Sequence, residues 1–201
     1  MKEILLFILT YLIGSISNSY IFGKIFRMKD IRDYGSKNAG ATNMFRVFGA
    51  KLGLITLFLD ILKGVLAVLV ARYFDVSYAQ YIALVGVVLG HNFPFYLNFN
   101  AGKGVSTTVG AIIAMDYKLG LVVVVLMFLV VLLTKYVSLA SILMFLGFFI
   151  YTLISFKELN LAVIISFIVA FVGILRHSKN IKRLTKGEEN KFYIFKSKSE
   201  A

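Results

Sequence analysis

Residues 104–134 read G-V-S-T-T-V-G-A-I-I-A-M-D-Y-K-L-G-L-V-V-V-V-L-M-F-L-V-V-L-L-T, and the fold turns on whether they form one helix or two. Asp116 and Lys118 flank Tyr117 in the middle of an otherwise uncharged run. A helix needs about 20 apolar residues to cross a bilayer, so the whole stretch is long for one crossing, and Asp116–Lys118 is a natural place to turn. The stretch is therefore read as two short spans, Gly104–Met115 and Leu119–Thr134. Towards the C terminus Val137–Ser155 and Leu159–Leu175 follow as clean apolar runs. Towards the N terminus come Tyr78–Leu97, then Leu52–Tyr73 with Asp60 and Lys63 inside it, then Ile4–Phe26, interrupted by Ser15, Ser17, Asn18 and Ser19. That makes seven spans.

Charge supports the odd count. Lys and Arg gather in cytoplasmic loops of membrane proteins. The first loop and its edges carry Lys24, Arg27, Lys29, Arg32, Lys37, Arg46 and Lys51. The tail carries Arg176, Lys179, Lys182, Arg183, Lys186, Lys191, Lys196 and Lys198. Both lie on one side only if an even number of spans separates them, which two helices in 104–134 provide. The expected architecture is an all-α integral membrane protein with seven transmembrane helices, the N terminus outside and the C terminus cytoplasmic. Residues 1–190 form its single domain and 191–201 a polar, frayed tail.

Composition agrees. The 201 residues are 59% hydrophobic and 16% charged, with a mean hydropathy of +0.85, more apolar than an ordinary soluble domain. The net charge is +12. With the basic residues set between apolar runs, this points to a membrane surface and phosphorylated substrates, and away from nucleic acid. The chain has no cysteine, which excludes disulfides, thiolate metal sites and a thiolate nucleophile.

Three polar stretches then fall on the cytoplasmic side. The first, Tyr34–Arg46, reads Y-G-S-K-N-A-G-A-T-N-M-F-R. Gly and Asn are weak helix formers, so it is read as a polar loop whose free N–H groups, Ser36, Asn38, Thr42 and Asn43 suit an anion beside Arg46. The second, Asn100–Thr108, reads N-A-G-K-G-V-S-T-T. Gly102 and Gly104 permit close backbone approach, Lys103 adds a point charge, and Ser106 and Thr107 enter the first turn of a helix, where N–H groups are unpaired. It is not a Walker A loop, since Leu97 stands where the first glycine is required. The third, Arg176–Glu189, reads R-H-S-K-N-I-K-R-L-T-K-G-E-E. Asp60 and Lys63, at i and i+3 within a span, should face the bundle interior as an ion pair and brace the site. Neither His91 nor His177 has an aspartate five positions later, where Tyr96 and Lys182 stand, so the acyltransferase dyad is absent. No G-x-S-x-G elbow occurs either. The bland alternative for the basic loops is lipid-headgroup binding. The rival functions are a transporter or channel for an anionic phosphorylated solute and a lipid-binding scaffold. Polar residues clustered at one face, away from the midplane, weigh against transport.

In order, G-S-K-N-A-G-A-T-N-M-F-R, D-I-L-K-G, G-H-N-F-P, G-K-G-V-S-T, V-S-L-A-S and R-H-S-K-N-I-K-R-L-T-K-G-E resemble the bacterial acyl-phosphate-dependent glycerol-3-phosphate acyltransferases, the PlsY family, from about Gly14 to Glu189. Ser17 stands where that family often has proline, and Ala101 and Ser106 replace its usual glycine and alanine. The resemblance implies a multi-pass enzyme of the bacterial inner membrane with a cytoplasmic active site. It would move a fatty acyl group from acyl phosphate to the 1-hydroxyl of glycerol 3-phosphate, without cofactor, metal or covalent acyl-enzyme. It implies a catalytic set of Ser36, Arg46, Lys103 and Asn180. Substrate-binding groups would be Asn38, Thr42, Asn43, Gly102, Gly104, Thr107, Ser138, Ser141, His177 and Arg183. Asp60, Lys63 and His91 would support the site.

Overall fold

The computed structural model describes residues 1–193, which form ten α-helices and two short 3-10 turns with no strand among them. The helices are α1 (Lys2–Ser15), α2 (Asn18–Arg27), α3 (Ala41–Phe48), α4 (Ala50–Ala71), α5 (Ala79–Asn92), α6 (Val105–Met115), α7 (Tyr117–Thr134), α8 (Val137–Phe156), α9 (Leu161–Arg176) and α10 (Ser178–Thr185). Four segments are long and apolar enough to cross a membrane: α1 with α2, α4, α7 and α8. The pair α9–α10, bent by 59°, would make a fifth. Helix α6 is apolar but, at 11 residues, only about 16 Å long.

The chain does turn at Asp116. It caps both helices: its backbone is extended, and its carboxylate accepts from the N–H groups of Lys118 and Leu119. The hairpin closes tightly because Gly120 lets α7 lie against Ile113 of α6. Two boundaries differ from the sequence reading. The span read as Tyr78–Leu97 is helical only to Asn92, because Pro94 pushes Phe93 out of the helical region and offers no N–H. Phe95–Leu97 is a 3-10 turn. The first loop is not all loop: Ala41–Phe48 is helical. Weak propensity is overridden there by burial of Ala41 and Met44 and by the Asn43 amide. That amide donates to the carbonyls of Ile31 at 3.2 Å and of Tyr34 and Asn38, both at 3.0 Å, and accepts from the Ser36 N–H at 2.9 Å.

The polar interruption of the first run is a true break. Helix α1 stops at Ser15 and α2 begins at Asn18. In an apolar medium the freed backbone groups need partners. The buried Lys63 ammonium donates to the carbonyls of Gly14 at 3.1 Å and Ile16 at 2.9 Å. The Tyr96 hydroxyl accepts from the Ser17 N–H and donates to the Ser15 carbonyl. Asp60 pairs with Lys63 at 3.2 Å and accepts from Asn18 at 2.9 Å. The expected ion pair is present, and it holds the helix break.

Helix α1 packs most extensively on α5, and α4 on α6, each through glycines that let backbones touch. A Cβ at Gly14 or Gly90 would strike the backbone of the opposite helix, as would one at Gly64 or Gly110. Gly110→Ala should therefore cost about 1–3 kcal/mol by forced separation of α4 and α6. Gly147→Ala, where a Cβ meets nothing within 4 Å, should be neutral or better. Thermal unfolding of both variants in detergent checks this, and equal melting points would contradict the close crossing. The main core runs through Leu6, Val68, Leu84, Val87, Ile112, Phe145 and Val169. A second cluster of Ile31, Ala39, Met44, Leu97 and Ala101 ties the first polar stretch to the second. Of the tail, residues 191–193 fold back: the Phe192 N–H donates to the Lys135 carbonyl at 2.7 Å, and Lys135 lies over the Tyr193 ring. The expected fraying of 194–201 lies outside the described residues.

Candidate active site

The three polar stretches meet. They line one cavity of about 390 Å³ together with α4, α7 and α8. Its polar end receives Ser36, Asn38, Thr42, Asn43 and Arg46 from the first stretch, and Lys103, Gly104 and Ser106 from the second. Helix α8 adds Ser138 and Ser141, and the third stretch adds His177, Asn180, Arg183 and Glu189. Its other end is apolar, walled by Leu57 and Ile61 of α4 and by Val124, Met127, Phe128 and Val131 of α7. Asp60 and His91 reach the cavity wall, whereas Lys63 does not.

Two expected ligands are elsewhere. Thr107 is fully buried, and its turn of α6 meets Gly64 of α4. Ser106, one residue earlier, takes the cavity position. Gly102 is absent from the wall because it lies on the His91 ring, where a Cβ would overlap the imidazole. Its N–H donates to the His91 carbonyl at 3.2 Å. His91 therefore braces the second loop from below. Asn43 borders the cavity, but its amide is spent on the loop's own backbone as described above, so its work there is to shape the loop.

A carboxylate that the sequence reading left unassigned joins three of the cavity's polar side chains. Glu189 is 9% exposed and accepts from Ser138 at 3.0 Å, from Asn180 at 2.7 Å and from Arg183 at 2.7 Å. Burial pushes its carboxyl up, but the bonds from Arg183, Asn180 and Ser138 outweigh this and hold it below the usual range. Asn180 also accepts from the Lys103 ammonium, so Lys103, Asn180 and Glu189 form a chain. Burial lowers the Lys103 pKa to about 8, with Arg183, Arg176 and Arg46 adding to the fall and Glu189 opposing it. The signal for Glu189 was an acidic residue at the end of a strongly basic segment, K-N-I-K-R-L-T-K-G-E-E.

His177 is 2% exposed, and its Nδ1 lies 2.7 Å from the Gly173 carbonyl. A carbonyl only accepts, so Nδ1 carries the proton and neutral His177 leaves Nε2 bare. Burial, then the Lys103 charge, lower its pKa to about 4. Arg46 is exposed at the end of α3 and has no hydrogen bond or ion pair to a side chain among the described residues. The site thus offers one exposed guanidinium, one half-buried ammonium and several hydroxyl and amide donors, next to an apolar trough. That suits a substrate with an anionic head and a hydrocarbon tail.

Known proteins share this plan. The family model described as glycerol-3-phosphate acyltransferase matches residues 4–187. A glycerol-3-phosphate acyltransferase of Thermoanaerobacter sp. (strain X514) is 44% identical over 95% of this chain and 96% of its own. One from Fusobacterium nucleatum is 42% identical over 92% of this chain and 95% of its own. The crystal structure of PlsY, an integral membrane glycerol 3-phosphate acyltransferase, in its glycerol 3-phosphate form superposes with a TM-score of 0.85 at 32% identity, covering 96% of both chains. Its lysophosphatidic acid form gives 0.79 at 31% identity, again over 96% of both. Matched over most of its length in sequence and in fold, this protein belongs to the glycerol-3-phosphate acyltransferase family.

Proposed function

We propose that the protein transfers a fatty acyl group from acyl phosphate to the 1-hydroxyl of glycerol 3-phosphate, giving lysophosphatidic acid and inorganic phosphate. The observation that carries this reading is the meeting of all three polar stretches in one cavity whose far end is apolar. Two phosphorylated substrates need several cationic and N–H donors in one place, and an acyl tail needs the trough between α4 and α7. The related structures named for glycerol 3-phosphate and lysophosphatidic acid support the acceptor and the product.

In this mechanism Lys103, with the N–H groups of the Gly104 turn and Ser36, holds phosphate, and Arg46 closes on it from the exposed side. Asn38, Thr42, Ser138, Ser141 and Arg183 orient the two substrates, and Asn180 keeps Lys103 aimed. The glycerol oxygen attacks the acyl carbonyl carbon. The new ester C–O bond forms as the C–O bond to phosphate breaks, and the departing phosphate takes the hydroxyl proton. No covalent acyl-enzyme is needed, and rate comes from positioning and from donors placed where charge develops. His177, neutral before substrate binds, contacts the phosphorylated acceptor, and His91, Asp60 and Lys63 keep the floor in place. Seven crossings, with α5, α6 and α9 completing the set, an outside N terminus and the site at the cytoplasmic face of the inner membrane fit the distribution of Lys and Arg.

The test is direct. Purified protein given acyl phosphate and glycerol 3-phosphate should release inorganic phosphate in step with lysophosphatidic acid, and acyl-CoA should not replace the donor. Turnover with acyl-CoA and none with acyl phosphate would overturn the donor assignment.

A further inference from the structure

Two arginines beside the site are spent on the backbone of the second polar stretch. Arg32 donates from Nη1 to the carbonyls of Leu97 at 2.9 Å and Asn100 at 3.0 Å. Its remaining edge is held by the Asp30 carboxylate, with Nη2 to Oδ2 at 2.8 Å and Nε within 3.1 and 3.2 Å of the two oxygens. Arg176 donates from Nε to the Gly102 carbonyl at 3.1 Å, and from Nη2 to the Ala101 carbonyl at 3.2 Å and the Asn100 side-chain oxygen at 3.1 Å. Its guanidinium lies over the Phe93 ring at 5.4 Å. Neither arginine is part of the cavity wall. Between them they fix five oxygen acceptors on Leu97–Gly102, the segment that leads into Lys103.

We propose that Arg32 and Arg176 are positioning residues: they clamp the Leu97–Gly102 segment from two separate elements and act on phosphate binding only through Lys103. The chemistry favours guanidinium for this task. A rigid planar fork holds two or three acceptors in one plane at fixed angles, whereas the three donors of an ammonium swivel at the end of a flexible stem. A loop carrying a partly buried cation gains from such rigidity, because a displacement of about 1 Å from productive geometry can cost about 10²-fold in rate. The clamp also joins parts of the chain distant in sequence, since the donor and acceptor of the Arg32–Asn100 bond are 68 residues apart and those of the Arg176–Gly102 bond 74.

The inference rests on the acyltransferase reading and is tested by a double-mutant cycle. Arg176→Gln and Arg32→Gln should each lower kcat/KM about tenfold. In a Lys103→Ala background either change should have little further effect, because the group they aim is gone. Arg176→Lys should behave like Arg176→Gln. The affinity for inorganic phosphate, measured by competition and by calorimetry, should follow the same pattern. Additive losses in the Lys103→Ala background, or rescue by Arg176→Lys, would place the arginines on substrate and overturn the clamp. If Arg176→Gln lowers the melting point too far to assay, Arg32→Gln and Arg176→Lys carry the same cycle. If only acyl-CoA supports turnover, the donor assignment fails while the cycle, run with that donor, still judges the clamp. If no donor supports turnover, the phosphate-binding cycle judges it alone.

Discussion

Lys103→Ala is expected to lower kcat/KM for acyl transfer by about 10²-fold or more, the scale for losing one well-placed electrostatic donor from a desolvated site. Lys103 is the half-buried cation at the polar end of the cavity, aimed by Asn180. Its pKa of about 8 adds a pH signature. In the proposed mechanism the ammonium is the form that grips phosphate, so kcat/KM should fall as pH rises through about 8. Lys103→Arg, whose guanidinium stays protonated, should lose that alkaline limb even if slower overall. The linkage to folding has a definite sign. The folded pKa lies below the usual lysine value of 10.5, so the empty protein bears the cost of a buried charge below pH 8. It should gain stability as pH rises from 8 towards 10.5. A folded Lys103→Ala variant with wild-type rate and the same pH profile would remove Lys103 from the chemistry.

Asp60→Ala should produce the largest loss of stability, about 3–5 kcal/mol, because it leaves the Lys63 ammonium buried without its counter-charge. Both side chains are nearly inaccessible, at 3% and 5% exposure. The same change removes the acceptor for Asn18 and the carboxylate 3.9 Å from His91. Asp60→Leu combined with Lys63→Met should recover the ionic part of the loss. It should not recover all of it, since the carbonyls of Gly14 and Ile16 then lack the donor that satisfies the helix break. Thermal and denaturant unfolding in detergent measures both effects. An Asp60→Ala variant as stable as wild type would mean that the pair contributes nothing to the fold.

The apolar runs and their interruptions were legible because each leaves a local mark. Asp116 and Lys118 break an uncharged run, and Ser15 to Ser19 break another, and the chain turns or breaks at both. The end of α5 was marked too, by Pro94, but the apolar residues after it extend the run past the point where the backbone leaves the helix. Helix α3 was hidden because its stability comes from contacts made by Asn43 and Met44 and not from intrinsic propensity. At the site, convergence of three polar stretches could be posed from sequence as a condition, and the structure meets it. Which of two neighbours faces the cavity could not be read: Ser106 and Thr107 differ by one step of the helix, and only packing against Gly64 decides between them. Glu189 escaped notice for a related reason. One partner, Ser138, lies 51 residues away, and the basic segment that ends at Glu189 marks an acidic residue without saying what it binds.

The return of residues 189–193 across the cavity carries a consequence for how the protein is made. Glu189 and Phe192 help wall the cavity, and Phe192 packs edge-on against Phe45 of α3. A chain emerging from the ribosome therefore delivers α1 to α10 before the residues that complete the polar end. Until residues 189–193 follow, Ser138, Asn180 and Arg183 lack the carboxylate that joins them, and α8 and α10 are tied across the cavity only after both are made.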